Sequence, residues 1–172
     1  MNAFILDLDP WAAAKAHCDK HVPKMCVEVA QMLASAVLRH NPDAMLASLW
    51  PITKKGTPYK GGYHHHPVTK WTGDSWANFS WMSEYGRALS MEYTLRFNKI
   101  HGCHLAINDL TLVGNSVIPF GELTPFAQAM PDEYRNADPV VAYRDYYHSK
   151  TFAKWDKGTP APVWWKGLEV TA

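Results

Sequence analysis

Two Asp-Pro dipeptides, Asp9–Pro10 and Asp138–Pro139, each stand at the head of a helix-forming run. An aspartate caps the free N–H groups of a first turn and a proline fits the first helical position, so each dipeptide predicts a helix start. A third helix is predicted over Asp74–Lys99, with Asp74-Ser75 as its cap. Strand signals are confined to residues 3–8 and to an ambiguous stretch at 109–118, so the chain is predicted to be all-α.

The rest of the sequence indicates one compact helical domain over residues 1–172, with long surface loops and an irregular, aromatic C-terminal tail. Hydrophobic residues make up 47% of the chain and aromatic residues 13%, which is enough to bury a core at this length. No apolar run approaches the ~18 residues that a transmembrane helix needs, so we expect no membrane partner. Glycine and proline density predicts that residues 51–73 form one long surface loop.

The spacing of the cysteines and the absence of known sequence motifs argue against several kinds of site. Cys18, Cys26 and Cys103 form no CxxC pair, which argues against a disulfide framework and a thiolate zinc site. Residues 1–10 lack the basic and apolar regions of a secretory signal, so we expect a cytoplasmic protein. GxGxxG, Walker A and GxSxG motifs are absent from the sequence, and we therefore expect no cofactor.

A polar stripe runs along the first helical region. Its spacing of four, three, four and three residues places five side chains on one helix face, provided that Pro23 only kinks the helix. If Pro23 instead begins a second helix that runs to Arg39, the stripe is divided. Such a stripe indicates either a functional site or a solvated polar face. It comprises His17, His21, Lys24, Glu28 and Gln31, and Lys20 flanks it.

The long helix over Asp74–Lys99 carries a similar stripe, and two facing stripes would form a polar cleft. A lysine and a glutamate in such a cleft either pair structurally or serve as amine nucleophile and general acid/base, because desolvation near other cations lowers the pKa of a lysine. The second stripe comprises Asn78, Tyr85, Glu92, Arg96 and Lys99.

Basic residues are concentrated locally, although the net charge is only +1. The stretch 51–73 has no acidic residue, and a second basic group lies among aromatic residues near the C-terminus. Basic side chains interleaved with rings suit phosphate contact and base stacking; the alternative is a solvated loop and an aromatic plug over the core. The first group contains Lys54, Lys55, Lys60, His64, His65, His66 and Lys70, and the second contains Lys150, Lys154, Lys157 and Lys166.

Histidine spacing also admits a metal site. His17 and His21, four residues apart, can share one ion, and His64–His66, His101 and His104 could complete the ligand set. No HExxH or Glu-x-x-His pair is present, so we expect no bound metal. A metal-dependent nucleotide or nucleic-acid hydrolase stays open as an alternative.

Short segments spread nearly end to end share a pattern with one known family. The most specific are Met130–Asn136, which contains Pro-Asp-Glu-Tyr-Arg-Asn, and the closing Pro162–Gly167. On these segments the chain resembles the phage pyrimidine-dimer DNA glycosylases of the endonuclease V type, and it is also similar to a group of uncharacterised small phage proteins. The supporting segments are Phe4–Leu8 before the helix with His17, His66–Pro67 before Trp71, and Glu92–Phe97.

The resemblance implies an all-α enzyme that needs no metal. In that family a free N-terminal α-amine attacks the sugar C1′ of the damaged nucleotide and a first-helix glutamate assists, so that the glycosylase and lyase steps pass through a Schiff base. Here the amine would be that of Met1, because Asn2 is a poor second residue for methionine removal. Alignment on His17 places Lys24 at the family's glutamate position, and Glu28, one turn further along, is the carboxylate able to replace it.

We therefore predict a DNA glycosylase/lyase that acts on a damaged or modified base of double-stranded DNA, in the host cytoplasm if the chain is phage-encoded. Glu28 has taken over the glutamate role, or Lys24 is itself the amine nucleophile, or the scaffold has lost glycosylase activity. The main alternative is a phage nucleic-acid-binding or host-modulating protein without catalysis. The catalytic candidates are Lys24, Glu28 and Met1, and the binding candidates are His17, Lys20, His21, Gln31, Lys60, His65, His66, Asn78, Glu92, Arg96 and Lys99.

Overall fold

The computed structural model describes residues 2–167, and these residues form six α-helices. Among them there is no β-strand, only an isolated bridge between Ile52 and Pro58. The prediction of an all-α fold is confirmed. None of the helices in this part of the chain combines the length and the apolar character needed to cross a membrane. The helices are α1 (Pro10–Lys15), α2 (His21–His40), α3 (Pro67–Asp74), α4 (Trp76–Phe97), α5 (His104–Asn115) and α6 (Pro139–His148), with 3-10 helices at Pro42–Leu46 and Asp132–Tyr134.

Three helices begin at the side-chain caps that the sequence predicts. The carboxylates of Asp9 and Asp138 accept hydrogen bonds from backbone N–H groups in the first turns of α1 and α6, and a proline follows each aspartate. The Ser75 hydroxyl accepts a hydrogen bond from the first turn of α4 in the same way. Each cap satisfies donors that have no partner inside their own helix.

Helix α2 lies at the centre of the fold, with thirteen of its twenty residues buried, and it packs against α3, α4 and α5. The closest approach is at Gly86 of α4, where an added Cβ would lie 2.5 Å from Val29 and 3.2 Å from Ile107. Only glycine allows this separation, so the three long helices meet at a position without a side chain. Met25, Met32, Leu33, Met82 and Leu89 fill the surrounding core.

Residues 2–6 form a buried extended segment rather than a strand. The ring of Phe4 packs against His21 of α2 and Tyr147 of α6, at centroid distances of 5.0 and 5.1 Å. The Asn2 side chain donates to the Ala129 carbonyl at 2.7 Å. The start of the described chain is therefore fixed between α2 and α6.

The structure decides between the two alternatives for the first polar stripe, and it corrects one loop. Helix α1 ends at Lys15 and α2 begins at His21, so the stripe is divided: His17 lies before α2, and the other four members lie on it. Pro23 lies inside the first turn of α2 rather than at its first residue. The predicted loop at 51–73 ends early, because the His66 ring accepts from the Val68 N–H at 3.2 Å and caps α3. A histidine cap followed by proline overrides the local glycine density. The ambiguous stretch at 109–118 lies largely in α5.

The chain after α6 has no regular secondary structure up to residue 167, as predicted for an aromatic tail. Trp164 and Trp165 pack edge-on against Tyr147, and the His148 ring stacks on Trp165 at 4.8 Å. The tail therefore covers the outer side of α6 and continues the core.

Candidate active site

A cavity of about 250 Å³ lies between the N-terminal half of α2, the extended segment 2–6 and the end of α6. We call it the Glu28 pocket. It brings together three residues of the first polar stripe, namely His21, Lys24 and Glu28, with residues distant in sequence. The other lining residues are Asn2, Phe4, Met25, Ala129, Tyr146, Lys150 and Phe152.

Glu28 is the only acidic residue among those described that line this pocket. One of its carboxylate oxygens accepts from the backbone N–H of Asn2 at 2.5 Å, and the other lies 3.5 Å from the Lys24 Nζ. The Glu28 side chain is 9% exposed, whereas the Lys24 side chain is 61% exposed. The carboxylate is thus held rigidly by the backbone, while the amine beside it is open to a ligand.

Three lysines place ammonium groups at or beside the pocket, and two of them lie over aromatic rings. The Lys150 Nζ is 3.8 Å from the Tyr146 ring centroid, and the Lys20 Nζ is 4.6 Å from that of Phe152. Cation–π contacts of this kind contribute roughly 0.5–1 kcal/mol at exposed sites. Together with Lys24 they make the surroundings of Glu28 strongly cationic, which favours an anionic ligand.

His21 forms an uncharged wall of the pocket. Its ring stacks on Phe4 at 5.0 Å, and its Nδ1 shares a hydrogen bond with the Tyr147 hydroxyl at 2.8 Å. Burial lowers the pKa of His21 from 6.5 to about 3, and the charges of His17 and Lys24 act in the same direction. At neutral pH the ring is therefore neutral and supplies shape rather than charge.

His17 does not line the pocket, contrary to the prediction. Its ring is fully buried, with Nδ1 donating to the Ala13 carbonyl at 2.7 Å and Nε2 lying 2.9 Å from the Tyr85 hydroxyl. Burial lowers the pKa of His17 to about 4. Because both ring nitrogens are used inside the protein, His17 packs the core behind His21 and has no free group for DNA.

Arg96 and Glu92 also face inward. The Arg96 guanidinium, 0% exposed, donates to the Glu92 carboxylate at 3.0 Å and to that of Asp19 at 3.1 Å. It also donates to the carbonyls of His17 and Lys15 at 2.7 and 2.9 Å. This buried network fixes the connection between α1 and α2, so the predicted binding role of both side chains gives way to a structural one.

The remaining members of the two stripes are dispersed. Asn78 is fully buried and donates to the Trp71 carbonyl and the Thr124 hydroxyl, both at 2.8 Å, so it anchors the segment after α5. Lys99 is exposed beyond the end of α4, and Gln31 is half-buried on α2. The two polar stripes therefore do not form the predicted cleft between helices.

No residue of the basic loop is among the described residues that line the pocket. Burial lowers the pKa of His66, and the Glu28 carboxylate opposes this shift. His65 and Lys60 are exposed on the same loop. Of the predicted catalytic residues, Lys24 and Glu28 meet in the pocket, and Met1 lies outside the described residues.

Sequence reasoning overlooked the part that α6 and the segments packed on it contribute to the pocket. Tyr146 lies in the last turn of α6, and Lys150 and Phe152 follow shortly after the helix ends at His148. The Asp138 cap fixes where α6 begins. The basic and aromatic character of the residues around its end was therefore recognisable from the sequence. No local signal places these residues opposite Glu28, because the contact spans more than a hundred residues.

Among residues 2–167, no three His, Cys, Asp or Glu side chains lie close enough together to hold a metal ion. His104 instead shares a hydrogen bond with the Ser90 hydroxyl at 2.9 Å, and the His101 ring accepts from the Cys103 N–H. The histidine-based metal hypothesis thus has no candidate ligand set in this part of the chain.

No family model, no curated protein and no solved structure matches this chain.

Proposed function

We propose that this chain is a DNA glycosylase/lyase that acts on a damaged or modified base of duplex DNA through an amine. The observation that carries the proposal is the position of Glu28, whose carboxylate lies between the Asn2 N–H and the Lys24 Nζ at the wall of a cationic, aromatic pocket. An adjacent amine and carboxylate supply the nucleophile and the acid/base that Schiff-base chemistry requires.

The proposed reaction begins when Glu28 takes a proton from the Lys24 ammonium. The free amine then attacks C1′ of the target sugar, and the C1′–N bond to the base breaks, with its electron pair and a proton from Glu28 leaving on the base. The sugar ring then opens as the C1′–O4′ bond breaks and a proton passes from the attached nitrogen to O4′, which gives a C1′=N Schiff base. Glu28 next removes a proton from C2′, the bond from C3′ to its phosphate oxygen breaks by β-elimination, and water finally releases the amine.

Lys24 is the first candidate for the amine, because its ammonium is beside Glu28 and is exposed to a ligand. The α-amine of Met1 is the second candidate, since the next backbone nitrogen, that of Asn2, contacts the same carboxylate at 2.5 Å. Both candidates use Glu28 in the same role.

The dimensions and lining of the pocket support a nucleotide taken out of the stack. Its volume of about 250 Å³ lies just below the ~300–1,000 Å³ of typical ligand cavities, so it holds one nucleotide unit at most. The Tyr146 and Phe152 rings give the pocket aromatic walls, and Lys150 and Lys20, which lie over these rings, suit the flanking phosphates.

The test is reductive trapping with borohydride on duplexes that carry an abasic site or a modified base. We expect a covalent protein–DNA adduct, located by mass spectrometry on a peptide of residues 20–25 or on the N-terminal peptide. Duplex binding without an adduct on any of these substrates would instead indicate the non-catalytic nucleic-acid-binding protein.

Substitutions of Glu28 and Lys24 test the catalytic roles proposed for these two residues. Glu28→Gln keeps the shape of the side chain but cannot take or give a proton, so it should retain duplex affinity and lose turnover by at least about 100-fold. Lys24→Arg keeps the charge but forms no stable Schiff base, so loss of the adduct in this variant assigns the amine to Lys24, and persistence assigns it elsewhere. Lys15→Gln, which changes an exposed lysine outside the pocket and outside both predicted basic groups, is the control. Wild-type turnover in Glu28→Gln would refute the site.

A further inference from the structure

A second cavity, of about 420 Å³, lies further along α2 and has a basic rim formed by Arg39, His64, His65 and Lys70. We call it the Lys70 groove. None of the described residues that line it is acidic. We propose that this groove binds the phosphodiester backbone of the same DNA strand whose nucleotide enters the Glu28 pocket, an inference that rests on the proposed function.

The two cavities share one face of α2. Lys24 and Glu28 line the pocket, and Ser35 and Arg39 line the groove, at spacings of four, seven and four residues that return to the same side of a helix. Eleven residues separate Lys24 from Ser35, and Glu28 from Arg39, which at ~1.5 Å per residue is about 16 Å along the axis.

The loop before α3 is fixed to α2 at the groove. The Ser35 hydroxyl donates to the Gly62 carbonyl and accepts from the Gly62 N–H, both at 2.8 Å. His64 and His65, which follow shortly after Gly62, are exposed and line the groove. The loop therefore adds two imidazole rings to the basic rim at a fixed position on α2.

The cations of the groove are available to a ligand to different degrees. Arg39 donates to the Asp74 carboxylate at 2.8 Å and to the Lys70 carbonyl at 3.0 Å, so its charge is partly compensated. The Lys70 side chain is exposed and makes no ion pair with any of residues 2–167. Lys70 is therefore the residue on which the binding of a phosphate depends most directly.

The distance along α2 between the two cavities fits one continuous DNA strand. One strand of B-form DNA advances about 3.4 Å per nucleotide, so about 16 Å corresponds to roughly five nucleotides. The groove lies on one side of the pocket only, so it should contact the strand on either the 5′ or the 3′ side of the target nucleotide, but not on both.

The first experiment measures duplex affinity against salt concentration and does not depend on catalysis. Lys70→Gln should lower the magnitude of the log–log slope by about 0.9, the loss of one phosphate contact. Between 50 and 200 mM salt the wild type should then lose about 3.5-fold more affinity than the variant. Lys15→Gln, which removes the same charge at an exposed position outside both cavities and outside both predicted basic groups, should keep the wild-type slope. An unchanged slope in Lys70→Gln overturns the proposal.

The second experiment uses an abasic strand that ends one or six nucleotides from the lesion, on the 5′ or the 3′ side, annealed to one common complement. For the wild type, truncation on one side should reduce borohydride trapping several-fold, and Lys70→Gln should lose this sensitivity. Equal sensitivity in both proteins overturns the groove assignment while leaving the glycosylase/lyase proposal in place. If the wild type forms no adduct at all, the proposed function fails, and the salt experiment still decides whether the groove binds phosphates.

Discussion

Replacing Arg96 with methionine should lower the free energy of unfolding by about 3–5 kcal/mol, the usual cost of breaking a buried ion pair from one side. The buried guanidinium contacts two carboxylates that are only 11% and 13% exposed, those of Glu92 and Asp19. The substitution leaves both without their cation and also removes the donors to two backbone carbonyls. An exposed ion pair contributes less than about 1 kcal/mol, so the burial determines the magnitude.

The assay is urea denaturation followed by tryptophan fluorescence, with Arg87→Met as the matched control. Arg87 pairs with Glu84 at 2.8 Å, but both side chains are 37% exposed, so the control should lose less than about 1 kcal/mol. Folded Arg96→Met should also keep the duplex affinity and salt slope of the wild type. An Arg96→Met protein with wild-type stability and weakened DNA binding would refute the structural assignment and restore Arg96 as a DNA contact.

Two further predictions concern the core. Between pH 6.5 and pH 5 the protein should lose about 1.6 kcal/mol of stability for each of His17 and His21, because burial holds their folded pKa values at about 4 and about 3 and the unfolded chain binds more protons in that window. Their contribution is complete above pH 6.5 and falls on acidification, so a flat series of urea midpoints over this range would contradict it. Gly86→Ala should cost about 1–3 kcal/mol, because its Cβ would lie 2.5 Å from Val29. Gly62→Ala, which has open space around it, should be nearly neutral, and equal midpoints for the two variants would show that α2 and α4 separate easily.

Helix starts were the most predictable part of the fold, because their signal is local. Asp9, Ser75 and Asp138 cap their helices with their own side chains, and the sequence shows each cap directly. The break between α1 and α2 was not predictable in this way. It is stabilised by Arg96, which is some eighty residues away in sequence, and no local pattern reports such a partner.

The candidate site was predictable only within a single helix. Lys24 and Glu28 form their pair at the spacing of one turn, and helical periodicity identifies that pair from the sequence alone. Lys150 and Phe152 reach the pocket through tertiary packing of α6, which periodicity does not encode. Periodicity also placed His17 on the same stripe, because the pattern of residue types does not distinguish a buried histidine from an exposed one.

The position of Asn2 has a practical consequence for any recombinant form of this protein. Its backbone nitrogen contacts Glu28 at 2.5 Å, so the atom that carries all preceding residues is part of the pocket wall. An affinity tag fused ahead of Asn2 would therefore emerge at the proposed reaction centre, where it would compete with DNA and remove any contribution of a free terminal amine. Inactivity of an N-terminally tagged preparation would therefore not count against the proposed function, and a fusion at the other end of the chain is the form to assay.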